Sequence, residues 1–293
     1  MVYTQIQVNK RNSILLFLGF FIIILILGTI LDYIFNLGYF GIFIGFIFSI
    51  FSALFSYYYG DKIVLRLSGA RLVTQKEYPV LFNLVEGLSL GTGIPMPKIH
   101  VIEDNAINAF ATGRDPEHAS IAVTKGSLLK LNKEELEGVL AHELSHIKNY
   151  DIRFMVLVSV MVGTIVMLSD LFLRGFMFRG SDRDGKNPNV ILLVLGIIFL
   201  ILSPIFAKLI QLAISRKREY LADASGALLT KNPHGLANAL KKIGNDHNIL
   251  RTANNATAHL YISNPFKNKK QFFGNLFSSH PPLELRIKEL EKM

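Results

Sequence analysis

The chain has 293 residues, of which 51% are hydrophobic and only 18% charged; it has no cysteine and a net charge of +9. A soluble domain is about 25% charged, so this composition demands extensive apolar burial and excludes a disordered chain, while the missing cysteine excludes a disulfide framework, a Cys-ligated zinc finger and an iron–sulfur cluster. The positive excess is local: residues 61–153 hold 11 basic and 12 acidic groups, whereas residues 208–293 hold 14 and 6.

Arg11 and Asp32 bracket 20 uncharged residues, and Asp32 and Asp61 bracket 28 more. Twenty apolar residues of helix measure about 30 Å, the thickness of a bilayer core. Asn36-Leu37-Gly38 is a natural short turn between them. Residues 1–60 are therefore expected to form an N-terminal transmembrane hairpin. The first run is long and lacks a small-x-small cleavage site, so it reads as an uncleaved anchor. Lys10, Arg11, Lys62, Arg66 and Arg71 flank the outer ends of the two helices, and the turn carries no basic residue. The positive-inside rule then puts the N-terminus and residues 61–153 in the cytoplasm.

Residues 61–153 change in texture. Glu77 to Leu90 has the period of an amphipathic helix, and 98–103 and 119–124 read as short strands. Asn132 with Glu135 is a capping box that opens a helix from Lys133 to about Tyr150. Phe154 to Phe172 and Asn187 to Ala207 are apolar again. A second hydrophobic hairpin is expected over 154–215, although its connecting loop holds Arg174, Arg179, Arg183 and Lys186 on the side that should be poor in basic residues. Residues 216–293 are polar and end in an amphipathic helix after Pro281-Pro282, with Leu283, Ile287 and Leu290 on one face. Basic and aromatic residues interleave over 264–273, which suits a membrane surface better than nucleic acid and suits a solvated loop equally well. There is no internal repeat and no Gly-rich phosphate loop.

The chemistry concentrates in His142-Glu143-Leu144-Ser145-His146. On a helix the two histidines, four apart, share one face, so both imidazoles can reach one Zn²⁺. Glu143 lies beside them as the general base of a metal-assisted hydrolysis. A catalytic zinc needs a third protein ligand, and no third histidine follows closely. Glu219 is the best candidate, because Glu219 and Asp223 lie four apart on one helix face. Glu219 can bind metal while Asp223 accepts a hydrogen bond from a ligating imidazole. An even number of membrane crossings between His146 and Glu219 would return both halves of the site to the same side.

His142-Glu143-x-x-His146, Glu219-x-x-x-Asp223, the paired hydrophobic hairpins, Asn105 to Gly113 and Ser279-His280-Pro281-Pro282-Leu283-Glu284-Leu285-Arg286 together resemble the HtpX family of bacterial membrane zinc endopeptidases, kin of the CAAX prenyl proteases. The resemblance covers nearly the whole chain. It implies an α-helical integral membrane protein with a mainly α, small-sheet zincin (gluzincin) protease domain, assembled from residues 61–153 and 216–293. It implies one Zn²⁺ per chain held by His142, His146 and Glu219, with Glu143 as base and acid. His280 falls near the substrate carbonyl as a second catalytic group, and Arg286 beside the acidic helix. Asn105 and Asn108 are expected at the substrate, and Ile121 and Val123 on a substrate-pairing edge strand at 119–124. The implied substrates are misfolded membrane proteins, cut at the cytoplasmic face of the bacterial inner membrane; nucleic acid is not expected as a partner. Two alternatives are a divalent-metal transporter and an inactive membrane scaffold. Carriers place ligating residues within their spans, whereas His142 and Glu219 fall outside the hydrophobic runs, and an intact Glu143 argues against a dead scaffold.

Overall fold

The computed structural model describes residues 2–35, 38–161, 163, 216–253, 256–266 and 281–293. Most of the second hydrophobic hairpin, its basic loop and His280 lie outside the described residues, as does the basic end of the 264–273 stretch.

Helices α1 (Val2–Phe35) and α2 (Phe40–Leu67) pack along each other. Gly38 and Tyr39, with φ of 60° and 68°, turn the chain between them. Asp32 closes that turn: its carboxylate accepts the backbone N–H groups of Tyr39 and Gly41, each at 3.0 Å. Those are donors that the start of a helix leaves unsatisfied, so the one acid between the two apolar runs serves as a cap. Among the described residues, α2 is the helix long and apolar enough to cross a bilayer. Ile14, Leu15 and Leu18 of α1 and Phe43, Phe51 and Leu54 of α2 stay exposed.

Four strands follow: β1 (Ala70–Leu72), β2 (Lys98–Ile102), β3 (Ala109–Gly113) and β4 (Ala119–Thr124). Their order is β1-β2-β4-β3, with β2 and β4 parallel and the outer pairs antiparallel. This corrects one expectation. Residues 119–124 are an interior strand, paired with β2 on one side and β3 on the other. Ile121 and Val123 are 0% exposed, so they build core and offer no free backbone to a substrate. The two edge strands are β1 and β3, and β3 lies inside the 105–113 segment.

Helix α3 (Pro79–Thr92) precedes β2, and α4 (Lys125–Lys130) leads from β4 into α5 (Lys133–Lys148). The capping box forms as expected. Asn132 Oδ1 accepts from the Glu135 N–H at 2.9 Å, and Glu135 Oε2 accepts from the Asn132 N–H at 2.8 Å. Tyr150, with φ of 60°, then turns the chain sharply into α6, helical from 151 and described to 161. Helices α7 (Arg216–Thr230), α8 (Pro233–Asn245) and α9 (Leu283–Leu290) complete the described part.

The central element is α5, which packs against α3, α7, α8 and β3. Two glycines set how closely its neighbours approach. A Cβ on Gly138 would stand 2.6 Å from the Leu236 nitrogen of α8, and one on Gly226 of α7 would stand 3.0 Å from the His142 nitrogen. Backbone cannot yield as a flexible side chain would, so the contact at Gly138 requires glycine, and at Gly226 a Cβ would force the two helices slightly apart. Val85, Ile99, Val101, Phe110, Ile121, Leu140, Leu144 and Ile147 belong to one continuous core around α5 and the sheet.

Candidate active site

The capping box starts α5 in a register that turns His142, Glu143 and His146 inward, and all three are buried. The two imidazoles stand edge-on at 88° with ring centroids 4.7 Å apart. Their Nε2 atoms face each other at 3.2 Å. Glu219, in the first turn of α7, comes in from the side: Oε2 is 3.7 Å from His142 Nε2 and Oε1 is 3.6 Å from His146 Nε2. These three residues form a buried group whose donor atoms lie within 4.8 Å of one another.

Two Nε2 atoms facing each other at 3.2 Å need a cation to share, either a proton in an N–H···N hydrogen bond or a metal ion. Two ligands about 2.0–2.1 Å from a tetrahedral zinc stand roughly 3.3 Å apart. Two imidazoles and a carboxylate at these separations therefore fit a divalent metal of the zinc type.

Each histidine is oriented from behind. His142 Nδ1 lies 2.9 Å from Asp223 Oδ1, and His146 Nδ1 lies 3.0 Å from Asp151 Oδ2. Nδ1–H donation to a carboxylate leaves Nε2 free for a metal. Asp223 is in turn gripped by Arg286 of α9, Nε to Oδ2 at 2.8 Å and Nη2 to Oδ1 at 2.6 Å. Arg286 Nη1 also donates to the Ile262 carbonyl at 3.0 Å, and its side chain is 0% exposed. One guanidinium thus ties together α9, α7 and the 258–263 loop.

The site's electrostatics follow from burial and these partners. Burial holds the His142 imidazole down, to about 4, against the pull of Asp223. Burial opposes protonation of His146 too, but Asp151, Glu219 and Glu143 outweigh it and raise this group to about 9. Burial also lifts the Glu143 carboxyl to about 7, which the Ala111 backbone N–H of β3 partly offsets. A carboxyl near 7 is suited to both taking and giving a proton at neutral pH. Burial works against ionisation of Asp223, yet Arg286 prevails and holds it down to about 2.

The structure thus brings together His142, Glu143, His146, Glu219, Asp223 and Arg286. The two asparagines expected at the substrate are placed differently. Asn108 is buried, and its amide is spent on the Ser263 carbonyl (3.1 Å) and the Ala109 N–H (3.1 Å), so it braces the start of β3. Asn105 is exposed on the β2–β3 loop, its carbonyl held by Lys130 Nζ at 2.6 Å. Sequence reasoning passed over Asp151. Its signal was an acid five residues beyond His146, but only the reversal at Tyr150 swings it back to the imidazole.

A buried HExxH pair, a glutamate from a second helix and carboxylates behind both imidazoles define a metallopeptidase. The chain belongs to peptidase family M48, whose sequence profile matches residues 76–293. It is 47% identical over 292 residues to the "Protease HtpX homolog" of Dictyoglomus thermophilum, covering 99% of this chain and 94% of that one. The protein of the same description from Thermoanaerobacter pseudethanolicus is 45% identical over 290 residues, 97% of this chain and 95% of its own. That of Listeria monocytogenes is 42% identical over 306 residues, covering both chains in full. The fold is similar to that in the crystal structure of S. mikatae Ste24p, with a TM-score of 0.52 and 21% identity over 97% of this chain and 66% of that chain.

Proposed function

We propose that this metalloprotease is an integral-membrane zinc endopeptidase that cuts polypeptides at the cytoplasmic face of a bacterial inner membrane and serves membrane-protein quality control. The observation that carries the catalytic part is the convergence of His142, His146 and Glu219 on one point beside a Glu143 held near 7.

In this reading His142, His146 and Glu219 hold one zinc per chain, and the bound zinc supplies a Lewis acid that polarises the scissile carbonyl and acidifies water. Glu143 takes a proton from the attacking water as its oxygen bonds to the carbonyl carbon, and returns that proton to the amine nitrogen as the C–N bond breaks. Asp223 and Asp151 keep both Nε2 atoms facing inward. The outer edge of β3 is proposed as the backbone partner of an extended substrate, which would take over the Ala111 N–H now directed at Glu143 and suits broad sequence tolerance. His280 is proposed as a donor to the developing oxyanion.

The membrane part rests on the exposed apolar residues of α1 and α2, which need a non-aqueous environment. The outer ends of both helices meet the catalytic part: Lys10 stacks on Tyr150, and Arg153 and Arg114 on Tyr57. The N-terminus and the active site then share one side, which the basic residues flanking the first hairpin support as the cytoplasmic one. A second hydrophobic hairpin between His146 and Glu219 preserves that arrangement.

Metal analysis and a casein-type cleavage assay of wild type against Glu143→Gln test the proposal. The wild type should carry about one zinc and cleave, whereas the variant should keep the zinc and lose cleavage by about 10²-fold or more. Cleavage retained by the variant would remove Glu143 as the base.

A further inference from the structure

Asn9 of helix α1 is a buried polar side chain whose partners lie outside its own helix. Asn9 is 2% exposed. Its amide nitrogen donates to Asp151 Oδ1 at 2.6 Å and to the Asn149 carbonyl at 2.9 Å. Both partners are acceptors, which fixes the amide with its NH₂ group toward them. The other Asp151 oxygen holds His146 Nδ1 at 3.0 Å. Arg218 Nη1 is farther from Oδ1, at 3.9 Å. A chain of contacts therefore runs from α1 through Asp151 to the second histidine of the HExxH pair.

We propose that Asn9 is a positioning residue for the metal site: by pinning Asp151 and the end of α5, it sets the orientation of His146 and makes metal affinity depend on where α1 sits. The inference rests on the zinc reading above. A buried carboxylate with one well-placed donor can rotate about its own axis, and an imidazole that leans on it loses its fixed direction. With a donor on each oxygen, Asp151 has one orientation. The first helix is then part of the active-site framework as well as an anchor.

The test is the apparent zinc Kd of the full chain in detergent, read by chelator competition. Asn9→Ala should weaken binding by about tenfold, the lower end of what loss of an outer-shell partner costs. Ser13→Ala is the control. Ser13 is buried on the same helix, but its hydroxyl donates only to the Asn9 carbonyl, at 2.9 Å, and its Kd should match wild type. Because Asn9 acts through Asp151, the double variant Asn9→Ala/Asp151→Asn should bind no more weakly than Asp151→Asn alone. If Asn9→Ala does not fold, Asn9→Ser, a shorter polar group in the same pocket, carries the same expectation. An unchanged Kd in the Asn9 variant, equal weakening by Ser13→Ala, or additive losses in the double variant would each overturn the proposal. A wild type that binds no zinc would instead overturn the metal reading itself.

Discussion

His142 and His146 carry the same imidazole into opposite charge states, and the difference lies in their surroundings. Arg286 stands within 3.5 Å of His142, whereas His146 is surrounded by Asp151, Glu219 and Glu143. Only a neutral imidazole binds metal, so zinc must displace a proton from His146 at any pH below about 9. Apparent zinc affinity should therefore rise with pH, by about tenfold per unit from neutrality up to that value; titrations against a chelator of known pH dependence check it. The stability of the metal-free protein runs the other way. A raised folded pKa stabilises fully below the unfolded value near 6.5 and loses that contribution as pH climbs through about 9. Arg286 makes a second prediction. Removing it strands Asp223 as a buried carboxylate without its bidentate partner, a loss of about 3–5 kcal/mol. Arg286→Ala should lower the free energy of unfolding, read from a denaturation curve, by that amount, and Arg286→Lys should restore only part of it, since an ammonium cannot grip both carboxylate oxygens. His142, Glu143 and His146 were legible because helix periodicity alone puts them together, and Glu219 and Asp223 because their spacing repeats that logic. Asp151 and Asn9 were not, because their roles depend on the reversal at Tyr150 and on a helix far away in sequence.

At the scale of elements, α5 is held by its cap and by glycines. Asn132→Ala removes one side of the capping box and should cost about 1 kcal/mol in a denaturation curve, with little effect on metal binding, because the site lies at the other end of the helix. Gly226→Ala should act differently. Its new methyl would press on the His142 backbone and push α7 away, carrying Glu219 with it. The expected result is weaker zinc binding out of proportion to the loss of stability. The elements themselves were well marked in the sequence: the helix over Lys133–Lys148, both strands that were expected, and the last helix after Pro282. The strand order was not. Pairing is decided by residues distant in sequence, and a buried apolar run such as 119–124 looks the same at an edge as in the middle. The three residues of β1 are too short to show a period, and β3 sets one large side chain, Phe110, among Ala109, Ala111, Thr112 and Gly113, so neither announced itself.

For the whole molecule, the cysteine-free sequence makes topology directly measurable. Tyr39 is 79% exposed at the turn between α1 and α2. A cysteine placed there should react with an impermeant reagent added outside intact cells, while one at Lys76 should react only after the membrane is opened. The reverse pattern would invert the orientation, and labelling of both from outside would rule out the hairpin. The candidate metal-binding trio is split along the chain: His142 and His146 precede residues 154–215, Glu219 follows them, and Arg286 comes near the end of the sequence. On the ribosome, the nascent chain therefore exposes its HExxH helix long before the residues that complete and brace the site have been made. A protease assembled in that order is inert until Glu219 and the residues that brace it have been made, and becomes able to cut only once its synthesis is nearly complete.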